Sequence, residues 1–198
     1  MPTGLAVATR DTIVAAACET LAAHGLSALT VARVANAARV SSALVHYHFA
    51  TKQRLLAAAA EQLAARRTAG RTGPLGSGSG LSSLDTLWLN LSAGAERGAE
   101  RAWHDLVLLA RHDADIRASL ARERGRERAA TAAALPRLLA GLGSRPSIPA
   151  DELAAVVIGF LDGTVLALAA GASRDEVRAA YDAFWLALVT LGQAAPPG

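Results

Sequence analysis

The fold is decided by Thr30–Phe49, which reads TVARVANAARVSSALVHYHF. In its first half, apolar side chains recur with the i, i+3, i+4, i+7 spacing of one helix face, at Val31, Val34, Ala35 and Ala38. Ser41 follows a short break and can cap a second helix with its hydroxyl group. In that second helix Val45 and Phe49 are four residues apart and point back at the first. Two short helices joined by a tight turn predict a helix-turn-helix, whose second helix reads DNA in the major groove.

The same stretch resembles the DNA-binding domain of TetR-family repressors. The resemblance covers about the first third of the chain and rests on Thr30, Val34, Ala35, Ala38, Val40, Ser41, Val45, Tyr47, His48, Phe49, Lys52 and Leu55. It implies an all-α protein of about nine helices, with a three-helix DNA-binding domain followed by a helical domain for ligand binding and dimerisation. We predict the first domain at residues 1–55, with its helix-turn-helix at 30–49, and the second at residues 56–198.

One position departs from the family pattern. Arg39 stands at the turn, where the family usually has glycine because a left-handed backbone is often wanted there. A non-glycine residue in that conformation costs about 1 kcal/mol. Either the turn avoids the conformation or Arg39 is tolerated in it, and its side chain is either an idle surface arginine or a phosphate contact.

The second helix presents the residues that we expect to meet DNA. Ser42 and Ala43 are small enough to let the backbone approach base edges, whereas Tyr47, His48 and Lys52 resemble family positions that hold phosphates. His46 stands where the family usually has an aromatic side chain. His46 and His48 point apart on a helix and have no carboxylate or cysteine nearby, so they do not predict a metal site. The predicted DNA-binding set is Thr30, Arg39, Ser41, Ser42, Ala43, Leu44, His46, Tyr47, His48 and Lys52.

The composition agrees with a helical protein. Over the 198 residues, 52% are hydrophobic and 4% aromatic, and the abundant Ala and Leu are the strongest helix formers. The single cysteine, Cys18, excludes an internal disulfide and is interpreted as a buried, inert thiol in a reducing compartment. The amino-terminal residues show no export signal, so a cytoplasmic protein is expected.

The charge is unevenly placed. Residues 1–67 hold seven basic and three acidic side chains, whereas the remaining residues hold 13 and 14. The excess of positive charge therefore coincides with the predicted helix-turn-helix, as binding to phosphates requires.

Two later segments are predicted to be exposed to solvent. Gly70–Gly80 is rich in Gly, Ser and Pro, which favours a flexible loop, and it lacks the Gly-Lys-Ser/Thr ending of a phosphate-binding loop. Arg122–Arg128 alternates in charge, which is typical of a solvated helix face.

The segment Asp151–Gly171 admits two interpretations. It is almost wholly apolar, and small residues recur every fourth position, as in a helix that packs closely against another or in a membrane-spanning dimer. Asp162 opposes the membrane interpretation, because a central aspartate costs ~3 kcal/mol on insertion scales. With the apolar helix that follows Ser173, this segment predicts an interface with a second copy. The predicted interface residues are Ala155, Gly159, Gly163, Ala167, Tyr181, Phe184, Trp185 and Leu188.

These features favour a ligand-responsive, dimeric repressor that binds a palindromic operator and is released by a small apolar or aromatic molecule. Its expected partners are double-stranded DNA, a second copy and the effector, with no cofactor and no membrane. The alternative is a helical membrane-associated or scaffolding protein. An enzyme is not expected, because the sequence has no nucleophile elbow, metal motif or paired carboxylates. The candidate effector residues are Trp88, Trp103, His104, Val107, Arg111 and Phe160.

Overall fold

The computed structural model describes residues 4–194 and confirms the all-α prediction. In this part of the chain there are nine α-helices, namely α1 (Gly4–His24), α2 (Val31–Ala37), α3 (Ser42–Phe49), α4 (Lys52–Gly76), α5 (Leu81–Glu96), α6 (Ala99–Leu109), α7 (Ala114–Gly141), α8 (Ala150–Ala169) and α9 (Arg174–Leu191). A short 3-10 helix, Leu26–Ala28, lies between α1 and α2. Two strands of two residues each, β1 (Ser144–Arg145) and β2 (Gln193–Ala194), pair antiparallel.

The helices form two compact units. The first unit holds the residues up to Arg66 together with Arg97–Glu123, and the second holds Arg67–Glu96 together with the residues from Arg124 onward. Helices α4 and α7 therefore contribute residues to both units. The functional boundary after residue 55 stays a prediction.

The first unit is built on the predicted helix faces. Ile13, Ala17 and Leu21 of α1 are completely buried in its core, together with Val34 of α2 and Val45 of α3. Cys18 lies in the same core, where burial raises the pKa of its thiol to about 11. The thiol is therefore protonated at neutral pH, which agrees with an inert cysteine.

The second unit has its own aromatic core. Tyr181 and Trp185 of α9 are fully buried, and the Tyr181 ring lies 5.4 Å from that of Trp88 on α5. The Tyr181 hydroxyl donates a hydrogen bond of 2.8 Å to the carbonyl of Leu84, so the buried polar atom is satisfied.

The prediction of a loop at Gly70–Gly80 is wrong for most of that segment, because α4 continues to Gly76 with Pro74 inside it. Proline has no backbone N–H, so the carbonyl of Gly70 loses its helical donor four residues on. The side chain of Asn90 on α5 replaces that donor, with its amide nitrogen 2.8 Å from the Gly70 carbonyl oxygen. A hydrogen bond from another helix thus lets α4 run through its proline.

A buried ion cluster joins α4, α7 and α8 in the second unit. The carboxylate of Asp162 accepts hydrogen bonds from Arg67 and Arg71 at 2.8 Å and from Arg124 at 2.7 Å. Glu127 adds a second carboxylate, 2.9 Å from Arg71 and 3.1 Å from Arg124. We call these five side chains the Asp162 cluster.

The cluster corrects the prediction of a solvated face at Arg122–Arg128. The arginines of that run are exposed, but Glu123 and Glu127 are buried. The run is therefore a two-sided helical segment, and Glu127 is held in the core by its contacts with Arg71 and Arg124.

The cluster also makes stability depend on pH. Burial alone would raise the pKa of Asp162, but attraction by Arg71 and Arg67 and the hydrogen bond from Arg124 hold it well below its ordinary value of 3.8. Because the folded protein favours the charged form, the stabilisation is present above that ordinary value. It is lost as the pH falls through the lower pKa of the folded state.

We expect Asp162→Asn to lower the free energy of unfolding at neutral pH by about 2–4 kcal/mol, because buried arginines lose their shared carboxylate. The variant should also lose part of the acid sensitivity below the ordinary pKa of the carboxyl group. Chemical denaturation over a pH series measures both effects.

The matched control is Asp151→Asn, which removes a carboxylate from a solvent-exposed pair with Arg128 and should cost less than about 1 kcal/mol. Equal losses for the two variants would contradict a special role for the buried cluster.

Candidate nucleic-acid interface

The three helices α2, α3 and α4 each begin at a hydroxyl cap. The side chains of Thr30, Ser41 and Thr51 each accept a hydrogen bond of 3.2 Å from a backbone N–H three residues on. These bonds satisfy amide groups that a helix end otherwise leaves without a partner, and they set where α2, α3 and α4 begin. The predicted cap at Ser41 is confirmed.

The turn between α2 and α3 adopts the left-handed conformation at Arg39, whose φ is 55°. The turn is closed by a hydrogen bond of 2.9 Å from the Val40 amide to the Ala35 carbonyl. Arg39 is thus tolerated where glycine would fit without strain, and its side chain is exposed.

Helix α3 has one face buried in the core and the other exposed to solvent. Val45 and Phe49 are buried, whereas Ser42, Ala43, His46 and Tyr47 are exposed, and Leu44 and His48 are half-buried. Tyr47 is 81% exposed although it is a large aromatic residue, and its ring meets the edge of the His48 ring at 5.3 Å. A large exposed aromatic on a helix whose opposite face is buried is typical of a binding surface.

The segment of sequence that contains α3 has no acidic side chain over a long interval. No Asp or Glu occurs between Glu19 and Glu61, whereas Arg33, Arg39, Lys52 and Arg54 all lie in that interval. These four side chains are exposed. An exposed face with cations and no carboxylates attracts phosphates.

A groove of about 990 Å³ adjoins Lys52 within the first unit. Besides Lys52 it is lined by the basic side chains of Arg101 and Arg111 and by a single acidic one, Asp105. Arg33, Arg54 and Arg101 were absent from the predicted DNA-binding set. The signal that could have found the first two is their place in the acid-free interval of the sequence.

Residues 13–68 match the family model of bacterial regulatory proteins of the tetR family. The matched segment includes all of α2 and α3. No curated protein matches the chain.

Solved structures share the fold of this chain at low sequence identity. A TetR-family transcriptional regulator from Rhodococcus sp. has a TM-score of 0.75 and 24% identity, over 91% of this chain and 98% of the other. One from Mesorhizobium loti has a TM-score of 0.78 and 16% identity, over 96% and 98%. A transcriptional regulator from Saccharomonospora viridis, solved in complex with choline, has a TM-score of 0.65 and 22% identity, over 90% and 95%.

The predicted effector residues of this chain divide between the two units. Trp103, His104, Val107 and Arg111 lie on or directly after α6, and Trp103 is buried in the first core while Val107 is exposed. Trp88 is buried and Phe160 half-buried in the second unit. Their role in ligand binding stays a prediction.

The predicted interface residues fall into two groups. Ala155, Gly159 and Gly163 are exposed on α8, and Ala167, Phe184 and Leu188 are half-buried. Tyr181 and Trp185 are instead used inside the protomer, where they are fully buried, so they are not available to a partner. Neighbouring exposed apolar residues that the sequence analysis did not include are Val156, Leu166 and Leu186.

Among the residues that the structure describes, no three side chains of His, Cys, Asp or Glu lie together in a way that could hold a metal ion.

The left-handed turn generates a stability prediction. We expect Arg39→Gly to be more stable than Arg39→Ala by about 1 kcal/mol, because both variants lose the guanidinium group and only glycine removes the strain. Urea denaturation of the two variants measures the difference.

Arg33, exposed within α2, provides a control with the opposite sign. There Arg33→Gly should be less stable than Arg33→Ala by up to about 1 kcal/mol, because glycine disfavours a right-handed helix. The same order of stability at both positions would contradict the assignment of strain to Arg39.

Proposed function

We propose that this chain is a TetR-family transcriptional regulator, a homodimeric repressor that binds a palindromic operator and is released by a small molecule. The observation that carries the proposal is the division of α3 into two faces. One face buries Val45 and Phe49, and the opposite face is exposed and has no acidic side chain. The protein acts by binding DNA rather than by catalysis, and its place of action is the cytoplasm.

Each α3 would enter the major groove of one half-site. Ser42, Ala43 and His46 face outward and would meet base edges, where small side chains permit close approach. Tyr47, His48 and Lys52 would bind phosphates at the groove margin, and Thr30, Arg39, Ser41 and Leu44 complete the contact set. Phosphate contacts supply much of the affinity and make it depend on salt.

The second copy would pack on the exposed face of α8 and α9. A Cβ atom added at Gly159 or at Gly163 would meet nothing within 4 Å, so this side of α8 is open. Apolar side chains flank it, with Val156 and Leu166 each 54% exposed and Leu186 69% exposed. Such a smooth apolar surface is costly in water and buries well against its own copy about a two-fold axis.

The effector is proposed to be a small molecule with an apolar body. Support for a small molecule of some kind, though not for its chemical class, comes from the fold, since a regulator of similar structure from Saccharomonospora viridis was solved with choline. Release of DNA requires that the effector bind the released conformation more tightly than the DNA-bound one, because a ligand with equal affinity for both shifts nothing.

Helix α8 also bears on the membrane alternative. Among the described residues, Ala150–Ala169 is the one helix that is long and apolar enough to cross a bilayer, by length and composition. Its Asp162, however, contacts arginines of α4 and α7, and insertion into lipid would break all three contacts. We therefore propose that the apolar face of α8 packs against protein rather than lipid.

Selection of bound DNA from a random pool tests the proposal most directly. An enriched inverted repeat with half-site centres about one helical turn apart would support the dimer and the recognition helix together. Enrichment of a single, non-repeated site, or of none, would contradict it.

The residues of α3 and α4 should differ in what they control. Lys52→Gln should weaken binding to operator and random DNA alike, and lower the slope of log affinity against log salt by about 0.9, because one phosphate contact is lost. His46→Ala should instead reduce discrimination at one base pair by about 1–3 kcal/mol. Titrations on operator and random DNA over a salt series measure both.

The exposed Arg137 on α7 provides the charge control, because Arg137→Gln removes the same unit of charge far along the chain. It should leave the salt slope unchanged. Equal losses on operator and random DNA for His46→Ala would rule out base reading by His46.

The proposed interface can be blocked at one position. Gly163→Leu should yield a folded monomer, because leucine fills the open face on which the second copy packs. Sedimentation velocity measures the oligomeric state.

Gly125→Leu is the matched control, since Gly125 is also an exposed helical glycine with nothing within 4 Å of an added Cβ. Both variants gain helix propensity, and the control should remain a dimer. An intact Gly163→Leu dimer would refute this interface.

A further inference from the structure

Arg71 is the most deeply buried member of the Asp162 cluster, with 2% of its surface exposed. One of its terminal nitrogens, Nη1, serves both carboxylates, at 2.9 Å from Glu127 and 2.8 Å from Asp162. Among the described residues, three buried side-chain nitrogens have no hydrogen-bond partner, and two of them are Nε and Nη2 of Arg71. Buried donors are nearly always hydrogen-bonded in folded proteins, so these two require an explanation.

The two free donors form one edge of the guanidinium group. The N–H groups of Nε and Nη2 point in parallel, which is the arrangement that grips both oxygens of a carboxylate. The same unit contains an example of this edge in use. At Arg128, Nε donates to one carboxylate oxygen of Asp151 at 2.7 Å and Nη2 donates to the other.

The charges around Arg71 determine which charge a ligand bound to its free edge would carry. Asp162 and Glu127 already accept hydrogen bonds from Arg67, Arg71 and Arg124, so their oxygens are covered by cations of the protein. A cationic ligand would meet the positive edge of Arg71 and is disfavoured. A doubly charged phosphate would be repelled by the two nearby carboxylates more strongly than a monoanion.

We propose that the free edge of Arg71 binds the carboxylate of a small organic acid, and that this acid is the effector of the regulator. The binding site itself depends only on Arg71, whereas its regulatory role rests on the proposed function. The assignment adds a specific polar group to the apolar body expected for the effector.

The position of Arg71 gives the binding a route to DNA affinity. Arg71 lies on α4, the same continuous helix that begins at Lys52. A carboxylate on the free edge of Arg71 adds negative charge to the guanidinium group whose Nη1 binds Asp162 and Glu127, and so alters the contacts that fix this helix in the second unit. Ligand binding and DNA binding are then linked, provided that the two conformations of α4 bind the acid unequally.

The test uses the full-length protein without DNA. Acetate, benzoate and octanoate are titrated at matched ionic strength and compared with the neutral amides of benzoate and octanoate and with inorganic phosphate. We expect saturable binding of at least one carboxylate, no binding of its amide, and a change in the NMR signal of the Arg71 Nε–H. No saturable carboxylate binding, equal binding of the amide, or tighter binding of phosphate would overturn the proposal.

Arg71→Lys tests the edge itself. Lysine keeps a positive charge for Asp162 and Glu127 but has no parallel pair of donors, so affinity for the carboxylate should fall about tenfold or more. Arg128→Lys is the control, because its edge is already occupied by Asp151, and it should bind the carboxylate as the wild type does. Unchanged affinity in Arg71→Lys would overturn the proposal.

A second measurement separates the site from its regulatory role. The carboxylate is added to the complex with the operator obtained by selection, in the wild type and in Arg71→Lys. Release of DNA in the wild type alone supports the effector role. Binding through Arg71 without release would overturn that role and leave the site standing, whereas failure to select any operator would count against the proposed function and not against the site.

Discussion

The ion pairs of the partly buried Asp162 tie together three helices of the second unit. A buried carboxylate needs cations nearby, and here they come from α4 and α7, which are distant from α8 in the sequence. The register of these three helices is therefore set by ionic contacts as well as by apolar packing. Helix α4 provides Arg67 and Arg71 at one end and the predicted phosphate contact Lys52 at the other. The cluster thus acts on a helix whose first residue is a predicted contact with DNA.

The helix-turn-helix could be predicted from the sequence because its determinants are local. The hydroxyls of Thr30 and Ser41 cap helices that begin at the next residue, and Val45 and Phe49 are buried as their spacing requires. Arg39 could not be decided in this way. Its departure from glycine left two backbone conformations open, and the structure shows the left-handed one. The contacts of these residues with DNA stay predictions.

The errors in the sequence analysis share one physical cause, which is contact between residues far apart in the chain. Glu127 looked solvated because its neighbours in sequence are arginines, yet its partner Arg71 is 56 residues away. Pro74 marked a loop because no local group could replace its missing amide. Tyr181 and Trp185 lie on an apolar helix face, but periodicity alone does not distinguish a face that packs inside the protomer from one that packs on a second copy. The free edge of Arg71 likewise has no signature in the sequence.

The hydrogen bond from Asn90 to Gly70 also has an evolutionary consequence. Asn90 and Pro74 are complementary, because the amide side chain is needed only where proline has removed the backbone donor. Loss of Asn90 alone leaves the Gly70 carbonyl without a protein donor, whereas loss of Pro74 alone restores the backbone amide and makes Asn90 redundant. Divergence should therefore proceed through replacement of Pro74 first. Relatives should show the two residues together, or Asn90 without the proline, and only seldom the proline without an amide at that position of α5.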